Sequence, residues 1–318
     1  MSDAADAAAR PAPKFPLSAT ETAELARHAL EEDRAFADIT TRAIVPAAAR
    51  ARARLVARQP GVVSGVPLVI AAFRALGDVA VRVAIRDGSP VAAGGVVAEL
   101  AGPARALLSA ERVALNFVQR LSGIATLTAR YVEAVCGTRA RIYDTRKTTP
   151  TLRALEKYAV RCGGGVNHRA DLAAAVLIKD NHLTALGGDV ALAVRRAREA
   201  AGLGIVIEVE CDDEAQVRAA LEARADVILL DNMPLDALRA CVALVGGRVP
   251  VEASGGVTLA SVRAIAECGV DRISVGALTH SAGALDLALD FDTSRPRGSA
   301  RGRHPYGIQD SGGRIQGP

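Results

Sequence analysis

The hydrophobic pattern of the chain changes after about residue 135. Before that point, a helical period over residues 20–32 leads into short apolar runs, ARARLVARQPGVVSG and VRVAIRDGSPVAAGGVVAEL, which Gly and Pro turns interrupt. Apolar residues at helical spacing then extend from residue 103 to about residue 135. The first part therefore predicts a helix, several short strands and a long helix.

In the second part, apolar strand-like runs alternate with amphipathic helices. The runs are ARIYDT, AAVLIKD, IVIEVE, DVILLD, VPVEAS and DRISVG, and the last four are centred about 20 to 22 residues apart. This alternation is typical of parallel strands with right-handed crossovers, and the apolar strands indicate a sheet covered on both faces. We therefore predict an α/β fold with a TIM-like α/β barrel, and an open doubly wound sheet is the alternative.

Polar side chains stand at the C-terminal end of nearly every predicted barrel strand. These ends converge on one face of a barrel, where catalysis takes place, so the pattern favours an enzyme. Helix N-caps can account for Asp212 and Asp231, but lysine is a poor N-cap, and caps do not explain Lys147 or Lys179. The polar strand ends are Asp144, Thr145, Arg146, Lys147, Lys179, Asp180, Glu208, Glu210, Asp231, Glu252 and Ser254.

Positive side chains are concentrated between the first two of these strand ends. So much positive charge at one barrel mouth would repel itself unless an anionic ligand fills the mouth. Arginine binds carboxylate or phosphate through two parallel hydrogen bonds, and lysine acts as a point charge. For any one of these side chains, a solvent-exposed position with no ligand is as good an explanation as anion binding. It does not explain the whole set. The set is Arg146, Lys147, His168, Arg169 and Lys179.

Three acids follow on the next two strands. Glu208 and Glu210 are two residues apart on one strand, so both side chains project from the same face. With Asp231 on the neighbouring strand, they can hold Mg²⁺, bind sugar hydroxyls or stabilise a cationic transition state. For Glu208 we favour a structural role, an ion pair with one of the lysines. Glu210 and Asp231 are therefore the better functional candidates.

Two glycine elements follow the last predicted strands. Glycine lets backbone N–H groups approach an anion, and a helix N-terminus after it adds a positive field. Many TIM barrels bind phosphate with the loops after their last two strands. A phosphate site beside cations and acids suits phosphoribosyl transfer, in which carboxylates stabilise the positive charge left on the ribose. The elements are Ser254, Gly255 and Gly256, and Val275, Gly276 and Ala277.

Charge and composition narrow the function class. The 318 residues carry a formal net charge of +4, but five arginines oppose one acid after residue 292, so the body is close to neutral. The tail is rich in Gly, Ser and Arg, which predicts disorder. We favour an inert extension over a nucleic-acid-binding tail. Truncation after Asp292 would separate the two, because only salt-sensitive binding would disappear.

Cysteine usage and hydropathy indicate the compartment. The five cysteines are widely spaced, with no CxxC pair, so we expect neither a disulfide framework nor a zinc site. The first residues lack the apolar core of a signal peptide, and no run approaches the ~20 apolar residues that a membrane helix needs. We expect a soluble cytoplasmic protein with no membrane partner and no nucleic-acid partner.

Several runs together resemble a known enzyme family. DTRKTTPTLRALEKYAVRCGGGVNHR, LIKDNH, EVE, ILLDNM, VEASGGV and ISVGALTHSA resemble quinolinate phosphoribosyltransferase, the carboxylating nicotinate-nucleotide pyrophosphorylase of NAD biosynthesis. The likeness extends from about residue 36 to residue 291, and the Arg-rich tail is the main feature that the family would not predict. The resemblance implies transfer of phosphoribosyl from phosphoribosyl pyrophosphate to quinolinate with decarboxylation, giving nicotinate mononucleotide, pyrophosphate and CO₂.

The resemblance also implies a domain organisation. An N-terminal α+β open-sandwich domain would pack on a barrel of fewer than eight strands. We assign residues 17–116 and 284–292 to the sandwich and 117–283 to the barrel, with disordered extensions at 1–16 and 293–318. The family works as a dimer, so we expect a homodimer or higher homo-oligomer in which Arg112 enters the partner's site. From the sequence alone, a surface salt bridge is the default for Arg112.

The resemblance assigns roles to the strand-end residues. Lys147, Glu210 and Asp231 would be catalytic, serving the ribose and the transition state. Mg²⁺ would bind mainly through pyrophosphate, with Glu210 and Asp231 as its protein ligands. The quinolinate carboxylates would be held by Arg146, His168, Arg169 and Lys179, and the remaining substrate contacts would come from Arg112, Thr145, Ser254, Gly255, Gly256, Val275, Gly276 and Ala277.

Two alternatives stay open at this point. A paralogue of the same fold could act on another pyridine or an azole, or serve molybdenum uptake, although EKYAV with GGGVNHR favours quinolinate. Comparing CO₂ release from quinolinate with turnover of nicotinate would separate these interpretations. Phosphoribosyltransferases of the Rossmann-like type carry a strand, paired acids and a Thr/Gly loop, which we do not find here.

Overall fold

The computed structural model describes residues 13–202 and 204–292. The predictions of disordered extensions therefore fall outside the described residues, except at residues 13–16. That short stretch contacts the folded body. The Phe15 ring packs edge-on against the Tyr158 ring with 5.1 Å between centroids, and the Lys14 carbonyl accepts a hydrogen bond from Arg161.

The N-terminal part is an α+β unit built around an antiparallel sheet. A capping box between Ser18 and Glu21 starts its first helix, which the sequence placed one residue later. The elements are α1 (Ala19–Glu32), a 3-10 turn (Ala35–Ala37), α2 (Ile39–Ile44), β1 (Arg50–Ala57), β2 (Gly61–Val62), α3 (Val66–Leu76), β3 (Ala80–Val83), β4 (Pro90–Val91) and β5 (Val96–Pro103).

The main sheet of this unit is covered on one face only. In β1 the side chains of Arg50, Arg52 and Arg54 are exposed, whereas Ala53 and Leu55 face a core that includes residues of α1 and α3. This alternation is expected of a half-buried strand. The predicted open-sandwich domain is therefore confirmed.

A single long helix joins the two parts of the molecule. Helix α4 (Ala104–Ala134) runs through the predicted boundary at residues 116 and 117, and its buried side chains enter both hydrophobic cores. A Cβ atom on Gly123 would lie 2.0 Å from the Gly283 carbonyl oxygen, so glycine permits this close contact with the returning chain.

The six predicted barrel strands all form, and all are parallel. They are β6 (Arg141–Tyr143), β7 (Val176–Ile178), β8 (Ile207–Cys211), β9 (Val227–Asp231), β10 (Val251–Ser254) and β11 (Arg272–Ser274). Their order is β6-β11-β10-β9-β8-β7, so the first strand lies beside the last, as in a closing barrel. A doubly wound sheet would instead reverse its order near the middle. The prediction of a TIM-like barrel with fewer than eight strands is confirmed.

The barrel helices lie between the strands, and the chain then returns to the first sheet. In the described part of the chain, no helix has both the length and the apolar character needed to cross a membrane. Strand β12 (Leu287–Phe291) pairs with β1 and closes the four-stranded sheet β12-β1-β5-β3. The helices are α5 (Arg153–Cys162), α6 (Asp180–Thr184), α7 (Val190–Ala201), α8 (Glu214–Glu222), α9 (Leu235–Val245), α10 (Val262–Ala266) and α11 (Ala277–His280).

Candidate active site

The strand registers bring the predicted polar residues to one end of the barrel. Glu210 pairs with Leu229, and Asp231, two residues further along β9, pairs with Ser254. Registered residues of parallel strands face the same way, and side chains alternate along each strand. Glu208, Glu210, Asp231 and Ser254 therefore share the inward face, with Asp231 and Ser254 nearest the C-terminal ends.

The cation at the end of β7 contacts the acid at the end of β8. The Lys179 ammonium group forms an ion pair with the Glu210 carboxylate, and the two side chains are 45% and 10% exposed. Lys179 therefore lies at the solvent-facing rim and Glu210 lies deeper. On the next strand, the Asp231 carboxylate accepts a hydrogen bond of 2.8 Å from the Asn232 side chain.

Two arginines, one after β6 and one in the loop after α5, lie close to each other. Burial and the positive charge of Arg146 lower the pKa of Arg169, and the negative charge of Glu208 opposes this effect. The Arg169 guanidinium donates to the Ala175 carbonyl at 2.9 Å. The Arg146 Nε atom is buried and has no hydrogen-bond partner among the described residues. A buried donor without a partner, next to a second cation, suits an anionic ligand.

Glu208 does not pair with a lysine, so that prediction is wrong. Its carboxylate lies 3.0 Å from Nε2 of His168, and Glu252 lies 3.6 Å from the same nitrogen. All three groups are largely buried inside the barrel, and the Ser274 hydroxyl donates to Glu252. Glu208 and Glu252 are on different strands, and His168 reaches them from the loop after α5, which sequence spacing alone does not reveal.

His168 is engaged at both ring nitrogens. Burial lowers its pKa, but the hydrogen bond to Glu208 and the charges of Glu252 and Glu208 outweigh this and raise the pKa. Its Nδ1 atom accepts a hydrogen bond of 2.8 Å from the Arg169 backbone N–H. The imidazole ring therefore carries its proton on Nε2, the nitrogen that faces Glu208. The predicted contact of His168 with a quinolinate carboxylate stays a prediction.

Lys147 follows the first barrel strand and packs against the second glycine element. Its backbone N–H donates to the Thr145 hydroxyl at 3.0 Å, and its carbonyl accepts from the Thr279 hydroxyl at 2.7 Å. A Cβ atom on Gly276 would lie 3.0 Å from the Lys147 side chain and 3.2 Å from His280. The Val275 N–H donates to the Tyr143 carbonyl of β6, and Ala277 begins α11. The sequence pattern did not single out His280.

The first glycine element is backed by the end of β9. Gly255 and Gly256 have φ angles of +89° and +57°, and a Cβ atom on Gly255 would lie 2.3 Å from the Asn232 side-chain oxygen. The next helix, α10, begins only at Val262, so no helix N-terminus directly follows this element. The expectation that the positive field of a helix N-terminus acts at this loop is therefore wrong. At the second glycine element, α11 does follow Gly276 directly.

A buried ion pair behind the site was also missed. The Lys157 ammonium group pairs with Asp144, and the exposures of their side chains are 6% and 0%. Asp144 also accepts from Asn167 and from the backbone N–H of His168. The sequence signal that could have indicated this pair is the motif EKYAV, which places charged residues in a short helix next to the GGGVNHR run.

Arg112 is separate from these contacts. It is exposed on α4, and no hydrogen bond or ion pair within residues 13–202 and 204–292 involves its side chain. The surface salt bridge that was its default explanation is therefore not found in this part of the chain.

Family models and known proteins match along most of the chain. The quinolinate phosphoribosyl transferase N-terminal domain matches residues 38–122, and the C-terminal domain matches residues 124–290. A probable nicotinate-nucleotide pyrophosphorylase (carboxylating) of Bacillus subtilis is 45% identical over 272 residues, which is 85% of this chain and 93% of the relative. The nicotinate-nucleotide pyrophosphorylase (carboxylating) of Homo sapiens is 42% identical over 252 residues, or 78% and 84% of the two chains. The solved nicotinate-nucleotide pyrophosphorylase from Francisella tularensis has a TM-score of 0.82 at 35% identity, covering 89% of this chain and all of that one.

Proposed function

Because the chain belongs to the quinolinate phosphoribosyltransferase family, we propose that it joins quinolinate to phosphoribosyl pyrophosphate and releases pyrophosphate and CO₂. The product is nicotinate mononucleotide, a precursor of NAD. One observation carries the proposal for this site. The buried Arg146 Nε, which has no hydrogen-bond partner in the described part of the chain, lies near Arg169, and the strand ends of the same barrel face carry Lys179, Glu210 and Asp231. This combination suits a dicarboxylate next to a sugar that develops positive charge.

The cations would hold the pyridine substrate. Arg146 and Arg169 have planar guanidinium groups that can each grip a carboxylate through two hydrogen bonds. Lys179 at the rim would exchange part of its contact with Glu210 for a substrate carboxylate. His168, whose Nδ1 accepts from the Arg169 backbone N–H, would orient the Arg169 segment. The ring nitrogen is then held towards the ribose.

The acids and Lys147 would serve the ribose. Attack by the pyridine nitrogen forms the N–C bond while the C–O bond to pyrophosphate breaks, and the anomeric carbon becomes positive. Glu210 and Asp231 lie at two adjacent strand ends, from which they would face this carbon and stabilise its charge. Lys147, exposed beside Gly276, would bind the departing phosphate oxygens. Val275, Gly276 and Ala277, with Ser254, Gly255 and Gly256, would bind the phosphate groups.

Magnesium is a further part of the proposal. Glu210 and Asp231 offer oxygen ligands on neighbouring strands, which is the donor type that Mg²⁺ prefers. Asp231 is only half-buried and its second oxygen is free of the Asn232 contact, so the residues fit the ion. When bound, mainly through pyrophosphate, Mg²⁺ would neutralise the leaving group.

Decarboxylation needs no dedicated base. Once the ring nitrogen is alkylated, the neighbouring carboxylate can leave as CO₂, and its bonding electrons stay on the ring carbon next to the positive nitrogen. A proton from water then completes the product. The chain has only to hold the ring in place during this step.

We also propose a homodimer in which Arg112 completes the partner's site. Arg112 lies one helical turn after Leu108, which is 37% exposed, and Arg105 of the same helix binds the Val45 carbonyl at the end of α2. In α2, Ile39 and Ile44 are 82% and 74% exposed. Such an apolar surface next to a cation suits a subunit contact.

The experiment is an ultraviolet assay with quinolinate, phosphoribosyl pyrophosphate and Mg²⁺, combined with measurement of released CO₂. We expect nicotinate mononucleotide and CO₂ in equal amounts and no turnover when nicotinate replaces quinolinate. Turnover of nicotinate without CO₂ release would contradict the proposal. The chain truncated after Asp292 should keep its activity, because the site residues all precede the tail.

A further inference from the structure

Helix α5 carries three consecutive buried polar side chains that point in different directions. Adjacent residues of a helix are about 100° apart around its axis, so Glu156, Lys157 and Tyr158 cannot share one partner. Glu156 and Lys157 are both buried. The Tyr158 hydroxyl donates at 2.8 Å to Asp87 of the N-terminal unit, which anchors the helix.

Lys157 holds the segment that carries two of the proposed quinolinate ligands. Its ammonium group pairs with Asp144 and donates to the His168 carbonyl at 3.1 Å. Asp144 accepts from the His168 backbone N–H at 2.9 Å, so the N–H and the carbonyl of His168 are both bound by this pair. Asn167 donates to Asp144 and, at 2.8 Å, to the Lys157 carbonyl.

Glu156 holds the opposite half of the site. It accepts from the Thr149 hydroxyl at 2.8 Å and from the Thr149 backbone N–H at 3.1 Å, two residues after Lys147. It also pairs with Arg120 at 2.8 Å, and Arg120 donates to the carbonyls of Thr279 and Ala282. The Glu156 carboxylate therefore holds the Lys147 loop directly and, through Arg120, the α11 segment after Gly276.

We propose that Glu156 and Lys157 are positioning residues that align the two halves of the site separately, Lys157 the quinolinate half and Glu156 the phosphoribosyl pyrophosphate half. Neither side chain faces the proposed substrates. Each acts through backbone groups of the loops that do, so its loss would displace those loops. The inference rests on the proposed function of the site.

The Lys157–Asp144 pair is better explained by alignment of the site loops than by stabilisation of the fold. Burial raises the pKa of Asp144 and lowers the pKa of Lys157, and each partner's charge opposes that effect on the other, so this ion pair is costly to bury. Apolar residues would fill the same space without that cost. What they could not supply is an acceptor for Asn167 and the His168 backbone N–H, and a donor to the His168 carbonyl.

The experiment compares Lys157→Met with Glu156→Gln, and each variant serves as the control for the other. We expect Lys157→Met to raise KM for quinolinate at least about tenfold and KM for phosphoribosyl pyrophosphate less than about threefold. Glu156→Gln should raise KM for phosphoribosyl pyrophosphate at least about tenfold and KM for quinolinate less than about threefold. Titration calorimetry with quinolinate should show weaker binding only for Lys157→Met.

Milder variants keep the test decisive if either protein fails to fold. Asn167→Ala and Thr149→Val each remove contacts from one network only, and should change the same KM values in the same directions by smaller factors. Equal changes of both KM values in each variant, or a lower melting temperature with unchanged KM values, would overturn the positioning role. If the unmodified chain forms no nucleotide from quinolinate, it is the proposed function that fails.

Discussion

At the scale of single residues, two unusual backbone conformations meet behind the first glycine element. Asn232 has a φ angle of +51° directly after Asp231, and Gly255 has a φ angle of +89° directly after Ser254. The Asn232 N–H donates to the Ser254 carbonyl at 3.0 Å, and the Asn232 side chain fills the space where a Gly255 Cβ would lie. Asn tolerates the left-handed region and Gly adopts it freely, so the residue types fit these positions.

This contact makes Gly255→Ala a test of the loop. An alanine there must adopt a left-handed conformation and also displace Asn232. Gly137, with a φ angle of +78° and no atom within 4 Å of the place where a Cβ would lie, is the matched control for conformation alone. We expect Gly137→Ala to lower the free energy of unfolding by about 1 kcal/mol, and Gly255→Ala by about 1–3 kcal/mol more.

Denaturant titration measures both effects, and the assay shows whether the loop binds substrate. Gly255→Ala should raise KM for phosphoribosyl pyrophosphate, whereas Gly137→Ala should leave both KM values unchanged. Equal stability losses in the two variants would mean that the contact with Asn232 is unimportant.

At the scale of elements, the inner faces of β8 and β10 are unusual because they carry buried acids. Glu208 and Glu252 each have one buried oxygen without a hydrogen-bond partner among the described residues. Burial and the negative charge of Glu208 raise the pKa of Glu252 to about 7, while His168 opposes this shift. A barrel lined with aliphatic side chains would avoid that cost, so the acids indicate a polar interior that supports the site.

The raised pKa predicts a specific dependence of stability on pH. Glu252 binds a proton more tightly in the folded state, so its contribution to the free energy of unfolding falls as pH rises from about 4.5 to about 7. His168, whose pKa is also raised, acts in the same direction. Glu252→Gln removes the contribution of Glu252, so the stability of the variant relative to the parent should increase with pH across that window.

Denaturant titrations at several pH values provide the measurement. Glu24→Gln, which alters an exposed carboxylate on α1, is the control and should leave the pH dependence of the parent unchanged. A parent and a Glu252→Gln variant with parallel stability profiles between about pH 5 and 7 would exclude the raised pKa.

At the scale of the whole molecule, α4 connects the sheet, the barrel and the proposed subunit contact. Its inner side enters both cores, Arg120 binds the loops of the site, and Arg112 is exposed on its surface. A helix that spans both units can transmit a subunit contact to the site. The proposal that Arg112 acts in the partner's site belongs to this scale.

Hybrid dimers test that proposal. Arg112→Ala and Glu210→Ala should each be inactive alone, because each removes a required group from every site. After subunit exchange, each mixed dimer would contain one site with neither substitution. An equimolar mixture should therefore recover about a quarter of the parent activity. No recovery despite exchange, shown by differently tagged subunits, would mean that Arg112 acts within its own subunit or not at all.

Local sequence patterns were sufficient to predict the elements and their class. The helices expected at 20–32 and 103–135 are Ala19–Glu32 and Ala104–Ala134, and all six barrel strands form. Apolar periodicity is a local property, so it is readable along the chain. The polar residues at the strand ends follow from the same pattern, because a parallel barrel must bring those ends together.

The contacts between charged groups, in contrast, were set by the folded arrangement. Glu208 pairs with His168 rather than with a lysine, and Lys157 pairs with Asp144. Even the cap of α8 is Asp213 and not Asp212. The physical reason is that a side chain's partner depends on the approach of distant segments and on burial, which no periodicity encodes. The sequence therefore predicts where charges gather, and the fold selects how they pair.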